Sequence, residues 1–362
     1  MRIKRIGWSV AAMAVVLVLT GAGIAVALAF RADPPVAAPG GVPAPAASSA
    51  SPVPPPGSDI TGPLDLLLIG VDTRATIPDW DPHADAIMLL HVDAGLTKGY
   101  VTSLPRDLRV DMPAFPEAGF RGGRFKITEA MSRGAKVPGS NRPDAEQGYR
   151  LLVRVISDYT GIDSFDAGAV LTFAGMSRLT DALGGITLRI DQKVVSQHRR
   201  PDGTLRTLRP GGGGYVGPQA TYLPGTRKLA GWQALDYARQ RYTAGGDYTR
   251  QRHQRQLVKA MLTSARTAGI ATDPARVQQI IGALGDRVIY SGERSPIEYA
   301  YALRDLRPEN LTMVGLPGSS LISPYGGYLG EELRPVGQQY LQAVARDRPA
   351  EFLAGHPELV HK

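Results

Sequence analysis

The sequence predicts an α/β fold, a sheet covered by helices on both faces, and three observations carry that expectation. Continuously apolar runs of strand length recur along the chain, and stretches of helical period lie between them. Hydrophobic residues make up 43% and charged residues 20%, so most of the chain can bury a core.

The elements follow in order. Leu64 to Val71 is an apolar run closed by Asp72, the pattern of a strand buried on both faces. Ala86 to Val92 and Gly99 to Leu104 read as two more strands, with a turn signal at Asp93-Ala94-Gly95 between them. Gln147 to Tyr159 places Leu151, Leu152, Val155 and Ile156 at helical spacing. Ile186 to Ile190 returns to strand, and Gln251 to Ala265 is a helix with Leu257, Val258, Met261 and Leu262 on one face. Leu311 to Leu316 is a late strand before the Pro317-Gly318 turn. Gly211 to Gly214 reads as a solvent loop, and no internal repeat is visible.

Ahead of this body, Arg2, Lys4 and Arg5 precede an uncharged apolar stretch from Trp8 to Phe30. As a helix it would rise about 34 Å, enough to span a hydrocarbon core. The basic residues before it hold residues 1–7 in the cytoplasm and send everything after residue 30 outside. A cleaved signal peptide is the rival, with Ala27-Leu28-Ala29 as the cleavage-like site, but the apolar run is long for one. Residues 31–63 hold ten prolines and no aromatic residue, and so read as an extended tether. The expectation is a single-pass membrane protein with its folded domain, residues 64–345, outside the cell and a tail at 346–362.

There is no cysteine, which removes disulfide scaffolds, thiol nucleophiles and thiolate metal sites. The net charge of +8 suits nucleic acid, anionic lipid or a phosphorylated substrate. Export argues against nucleic acid.

Four groups of residues carry candidate chemistry. Asp72 follows one strand and Asp85 precedes the next; they either cap turns or converge on a hard cation such as Mg²⁺. Arg106 sits on the rigid turn Leu104-Pro105-Arg106-Asp107, and Lys126 lies in Arg124-Phe125-Lys126-Ile127. Each is either a solvated charge or a phosphate ligand. The fourth group is Tyr237-Ala238-Arg239-Gln240-Arg241 followed by the helix start around Asp247, Arg250 and Gln254. Residues two apart cannot share a helix face, so Arg239 and Arg241 point together only if the chain turns extended there. Arg250 and Gln254 do share one. Arginines gathered at a helix start make an anion site, with a solvated basic face as the alternative.

These groups, in this order, resemble the LytR–CpsA–Psr family of cell-envelope transferases. The matching segments include Leu67 to Asp72, Ala84 to Met88, Ser103 to Asp107, Lys126-Ile127-Thr128, Asp181 to Ile186, Leu223-Pro224-Gly225 and the arginine cluster. The resemblance runs from about Leu64 to Pro317. It implies a central mixed β-sheet with helices on both faces and an apolar lipid tunnel. It also implies a Mg²⁺-dependent transfer of a glycan phosphate from a polyprenyl-pyrophosphate carrier onto a peptidoglycan hydroxyl. Arg106, Lys126, Arg239, Arg241, Arg250 and Gln254 would then bind the pyrophosphate, and Asp72 and Asp85 the metal. Arg106, Arg239, Arg241, Arg250 and Asp85 would be catalytic. A non-catalytic binder of polyprenyl lipid is the alternative. Departures from the family pattern fall at His83, Ala84 and Ala86, where arginine and hydroxyl residues are common, and at His253 and Arg255.

Overall fold

The structure is a computed structural model that describes residues 54–72, 81–269 and 288–361, with isolated positions between 270 and 287. The expected anchor at Trp8 to Phe30 and residues 31–53 of the tether lie outside the described residues. Among those described, no helix is long and apolar enough to cross a membrane.

The chain opens with three strands, β1 (Leu64–Val71), β2 (Ala84–Val92) and β3 (Gly99–Leu104). A hairpin of β4 (Arg109–Met112) and β5 (Gly123–Lys126) leads into α1 (Glu129–Gly134) and α2 (Ala145–Thr160). Next come β6 (Ala167–Thr172), α3 (Phe173–Ala182) and β7 (Ile186–Ile190). The short strands β8 (Val194–Val195), β9 (Thr207–Leu208), β10 (Tyr215–Val216) and β11 (Thr221–Tyr222) form an arm before β12 (Gly225–Leu229). Then follow α4 (Gly231–Arg239), α5 (Gly246–Thr267), β13 (Val288–Gly292), α6 (Pro296–Ala302) and β14 (Leu311–Gly315). The hairpin β15 (Gly318–Ile322) and β16 (Tyr328–Leu333), α7 (Pro335–Val344), α8 (Pro349–Gly355) and β17 (Val360–His361) complete the order.

Seven strands make one sheet in the order β13-β6-β1-β2-β3-β14-β17. The β1–β6 and β3–β14 pairs are parallel and the other neighbours antiparallel, so the sheet is mixed. Strand side chains alternate between faces, and here both faces are covered, which is why β1 and β2 are apolar almost throughout. Leu66, Leu68, Met88 and Leu90 enter one core with α4 and α5. Leu67, Ile69, Ile87 and Leu89 enter the other with α2 and α7. The α/β expectation, helices on both sides of a mixed sheet, is what the chain adopts.

Local chemistry sets the boundaries. Asp144 caps α2 by accepting the Gln147 N–H at 3.0 Å, and Gly161 ends it in the left-handed region. The turn at Asp93 closes through its carboxylate, which accepts the N–H groups of Thr97 and Lys98.

Two expected boundaries move. The segment 346–362, read as a tail, carries α8, which buries Leu353, and the edge strand β17 paired with β14. Its apolar residues are too widely spaced to show a period, yet an open sheet edge gives them a place. The domain also begins before residue 64: Ile60 packs against the core that lies under α4 and α5.

Candidate active site

The site forms where β1, β3 and β5 end and β2 and α5 begin. Val71 pairs with Ala84 across a register shift, so Asp72 and Asp85 flank neighbouring positions of adjacent strands. Asp85 accepts a hydrogen bond from Arg106 Nη1. Arg106 follows β3, and its Nε lies 3.8 Å from Asp107. On its other oxygen Asp107 holds the Lys126 ammonium at 3.3 Å. The ring of Tyr328, on β16, lies under that ammonium at 4.6 Å. Burial weighs against the Arg106 cation, yet Asp85 and Asp107 overcome it and hold its pKa above the ordinary value.

The second half comes from the α4–α5 connection. Gln240 takes an extended conformation at ψ 132°, which ends α4 at Arg239 and carries Arg241 off the helix; an extended turn here is the condition the sequence set for the two arginines to point together. The turn is fixed from beneath. Gln240 Nε2 donates to the buried Asp236 carboxylate at 2.8 Å and to the Asp236 carbonyl at 2.9 Å. Its Oε1 accepts the Gln197 N–H at 3.0 Å. Asp236 also accepts from the hydroxyls of Ser196 at 3.0 Å and Tyr222 at 2.9 Å. Burial raises the Asp236 pKa, against those two hydroxyls and Arg239 and Arg199.

Gly245 at φ 84° opens α5, and Asp247 is an acid of its first turn. Arg250 is 4% exposed and forms an ion pair with Asp247, Nη2 to Oδ1 at 2.7 Å. Burial brings its pKa down to about 10; Asp247 and Asp85 oppose that, while Arg106 and Arg241 add to it. Arg106, Arg241, Arg250, Asp85 and Asp247 are therefore one electrostatic cluster. Arg250 Nε and Arg106 Nε are buried with no hydrogen-bond partner among the described residues. That is the signature of a site awaiting acceptors.

An apolar cavity of about 40 Å³, partly open to solvent, adjoins it. Leu68, Gly70, Met88, Leu171, Phe173 and Leu257 are among its walls, and Arg239 and Gln254 line it as well. The Arg239 guanidinium also sits 5.3 Å from the Phe173 ring.

Of the residues singled out in the sequence, the structure joins Asp85, Arg106, Lys126, Arg241 and Arg250 through direct pairs or shared fields. Arg239 and Gln254 belong to the cavity wall, and Asp72 makes no side-chain hydrogen bond or ion pair among the described residues. The one group of three close metal-ligand side chains among the described residues is Asp65, His91 and Asp347, at the far end of β1. His253 and Arg255 turn away from the cluster. His253 is buried, stacks on Tyr237 at 4.3 Å and meets Asp191 at 3.0 Å, while Arg255 is buried elsewhere on α5. Their departure from the family pattern therefore concerns packing. Sequence reasoning missed Asp236 and Gln240 as positioning groups and Tyr328 under Lys126. The Asp236–Gln240 spacing, one helical turn, is the only local signal; their other partners, Ser196 and Gln197, and the Lys126 that Tyr328 lies under, are far away in sequence.

The sequence pattern of the LytR_cpsA_psr family matches residues 46–324. The chain belongs to the LytR_cpsA_psr family. Among members and relatives, Biofilm regulatory protein A of Streptococcus mutans is 28% identical over 205 residues, 55% of this chain and 43% of that protein. Cell wall biosynthesis protein LcpA of Corynebacterium glutamicum is 24% identical over 288 residues, 73% of this chain and 52% of its own. Polyisoprenyl-teichoic acid–peptidoglycan teichoic acid transferase TagU of Oceanobacillus iheyensis is 27% identical over 60% of this chain and 57% of its own. The chain thus spans about half the length of these curated relatives. The family fold is shared with protein gbs0355 of Streptococcus agalactiae, at TM-score 0.62 and 23% identity over 79% of this chain and 88% of that one. B. subtilis TagV matches at TM-score 0.58 and 18% identity, over 80% of this chain and 98% of its own.

Proposed function

We propose that this chain is an extracytoplasmic transferase that moves a glycan phosphate from a polyprenyl-pyrophosphate carrier to a peptidoglycan hydroxyl. The observation that carries the reading is the junction of two environments. Arginines with unpartnered buried nitrogens stand beside an apolar cavity, and Arg239 and Gln254 border it. A ligand that is anionic at one end and apolar at the other fits that junction. Family membership and relatives named for cell wall biosynthesis and teichoic acid transfer support the same reading. The apolar stretch at residues 8–30 is the feature that would put the site outside the membrane.

Phosphoryl transfer brings its own charge, so the residues act by holding and neutralising it. Arg106 and Arg250, fixed by Asp85 and Asp247, would grip the pyrophosphate oxygens as bidentate donors. Arg239 and Arg241 would flank the departing lipid phosphate. The acceptor hydroxyl oxygen would bond to the glycan-bearing phosphorus as the bond to the lipid phosphate breaks, with its proton passing to solvent or to the released lipid phosphate.

The family resemblance also calls for Mg²⁺. Asp72 and Asp85 are an all-oxygen pair at adjacent strand ends, and Asp72 has no other side-chain partner among the described residues, so they suit a hard cation. Bound there, it would neutralise pyrophosphate charge.

The test is glycan transfer from a short-chain polyprenyl-pyrophosphate donor to peptidoglycan fragments. Arg241→Ala and Asp85→Ala should each lose on the order of a hundredfold in rate, Arg241→Ala with melting temperature unchanged and Asp85→Ala at a temperature where circular dichroism shows the variant folded. Wild-type rates in both would leave a non-catalytic lipid binder as the better description.

A further inference from the structure

The arm between β7 and β12 has a composition unlike the rest of the surface. Residues 191–224, between those strands, contain five Lys and Arg against two Asp. The same arm exposes large apolar side chains: Leu205 is 65% exposed, Leu208 59%, Leu223 54% and Val216 38%. Its shape is well defined. The Arg206 guanidinium donates to the carbonyls of Gln197, Tyr215 and Gly217, which ties β9 and β10 to the arm's base. Gly211 to Gly214 all take left-handed φ at the tip, where only glycine turns so freely.

The arm is joined to the candidate site. The Gln197 N–H donates to Gln240, between Arg239 and Arg241, and Ser196 donates to Asp236 beneath them. His198 lies in the combined field of Arg239, Arg241, Arg199 and Arg206. Arg199 and Arg200, half-buried, and the exposed Arg209 therefore continue the positive charge of the Arg239–Arg241 turn out along the arm.

We infer that this arm docks on an anionic bilayer surface, its leucines entering the interface and its arginines meeting lipid headgroups. An acidic glycan would explain the arginines but not the exposed leucines. A bilayer explains both, because apolar burial and headgroup attraction act together at its interface. The inference rests on the proposed function for its purpose: docking would bring the Arg239–Arg241 turn to the headgroup level, where the pyrophosphate of a membrane carrier lies.

The test uses the full chain reconstituted in phosphatidylcholine vesicles with or without phosphatidylglycerol. Because the chain has no cysteine, Leu208→Cys and Leu223→Cys each take a single environment-sensitive fluorophore, with Tyr325→Cys, 99% exposed on the β15–β16 connection, as control. Variants are used only if they keep the wild-type melting temperature, and either arm position suffices. Brominated lipid chains should quench the two arm probes in anionic vesicles and leave Tyr325→Cys unaffected. Adding Arg200→Gln and Arg209→Gln should weaken docking on the order of thirtyfold, from about 1 kcal/mol per basic residue. Arm probes that no vesicle quenches would overturn the inference. So would probes that respond to soluble polyphosphate but to no bilayer, which would make the arm a polyanion site. Transfer activity is read separately, so failed docking with transfer intact refutes the arm's role alone. Lost transfer in neither Arg241→Ala nor Asp85→Ala refutes the proposed function alone.

Discussion

Arg250 offers a test in which stability and activity should move independently. Its guanidinium is 4% exposed and shares its surroundings with Arg106 and Arg241. Those surroundings depress its pKa from 12.5 to about 10. At about 1.4 kcal/mol per unit, the charged form costs on the order of 3 kcal/mol relative to water. A base with a lowered folded pKa is destabilising wherever it is charged in both states, so this cost stands at pH 7 and fades only as pH rises through about 10. Arg250→Met keeps the aliphatic stem and removes the charge. It leaves Asp247 without its 2.7 Å partner, but the other oxygen of that carboxylate keeps the Gln251 amide at 3.1 Å. The variant should therefore unfold in urea at a midpoint equal to or above wild type, while transfer from the lipid pyrophosphate falls on the order of a hundredfold or more. Arg250→Lys should recover only part of the activity, because an ammonium lacks the fork. A clear drop in urea midpoint for Arg250→Met with transfer unchanged would make Arg250 a structural residue and sink the reasoning.

Three further outcomes follow from particular contacts. Asp236→Leu should cost several kcal/mol, since it leaves the donors of Ser196, Tyr222 and Gln240 without an acceptor at roughly 1–3 kcal/mol each; Asp236→Asn should stay near wild type, as urea titration will show. Burial and four nearby arginines push the His198 pKa down to about 4, so the unfolded chain takes up its proton first as pH falls below 6.5. Stability should therefore decline from pH 6.5 toward 4, and His198→Asn should flatten that part of the melting-temperature profile. Ala86→Leu projects into the apolar cavity and should raise KM for a long-chain donor by about tenfold more than for a short-chain one, with kcat little changed.

The sequence by itself determined the central strands, because Leu64 to Val71 and Ala86 to Val92 are apolar on both faces and no helix would bury such runs so evenly. It determined the long helices, whose apolar residues repeat at 3.6. Residue types alone left Arg106, Lys126, Arg241 and Arg250 open between solvated charges and anion ligands, and the family resemblance is what singled them out as ligands. Tertiary structure decided which of those charges meet. Asp85 reaches Arg106 only because β2 and β3 pair, and Asp107 reaches Lys126 because β5 returns there. It also decided that residues 346–362 close a sheet edge, that Asp236 supports the arginine turn, and that His253 belongs to packing. Those facts depend on loops that bring residues far apart in sequence within 3 Å, and local pattern holds no record of such distances.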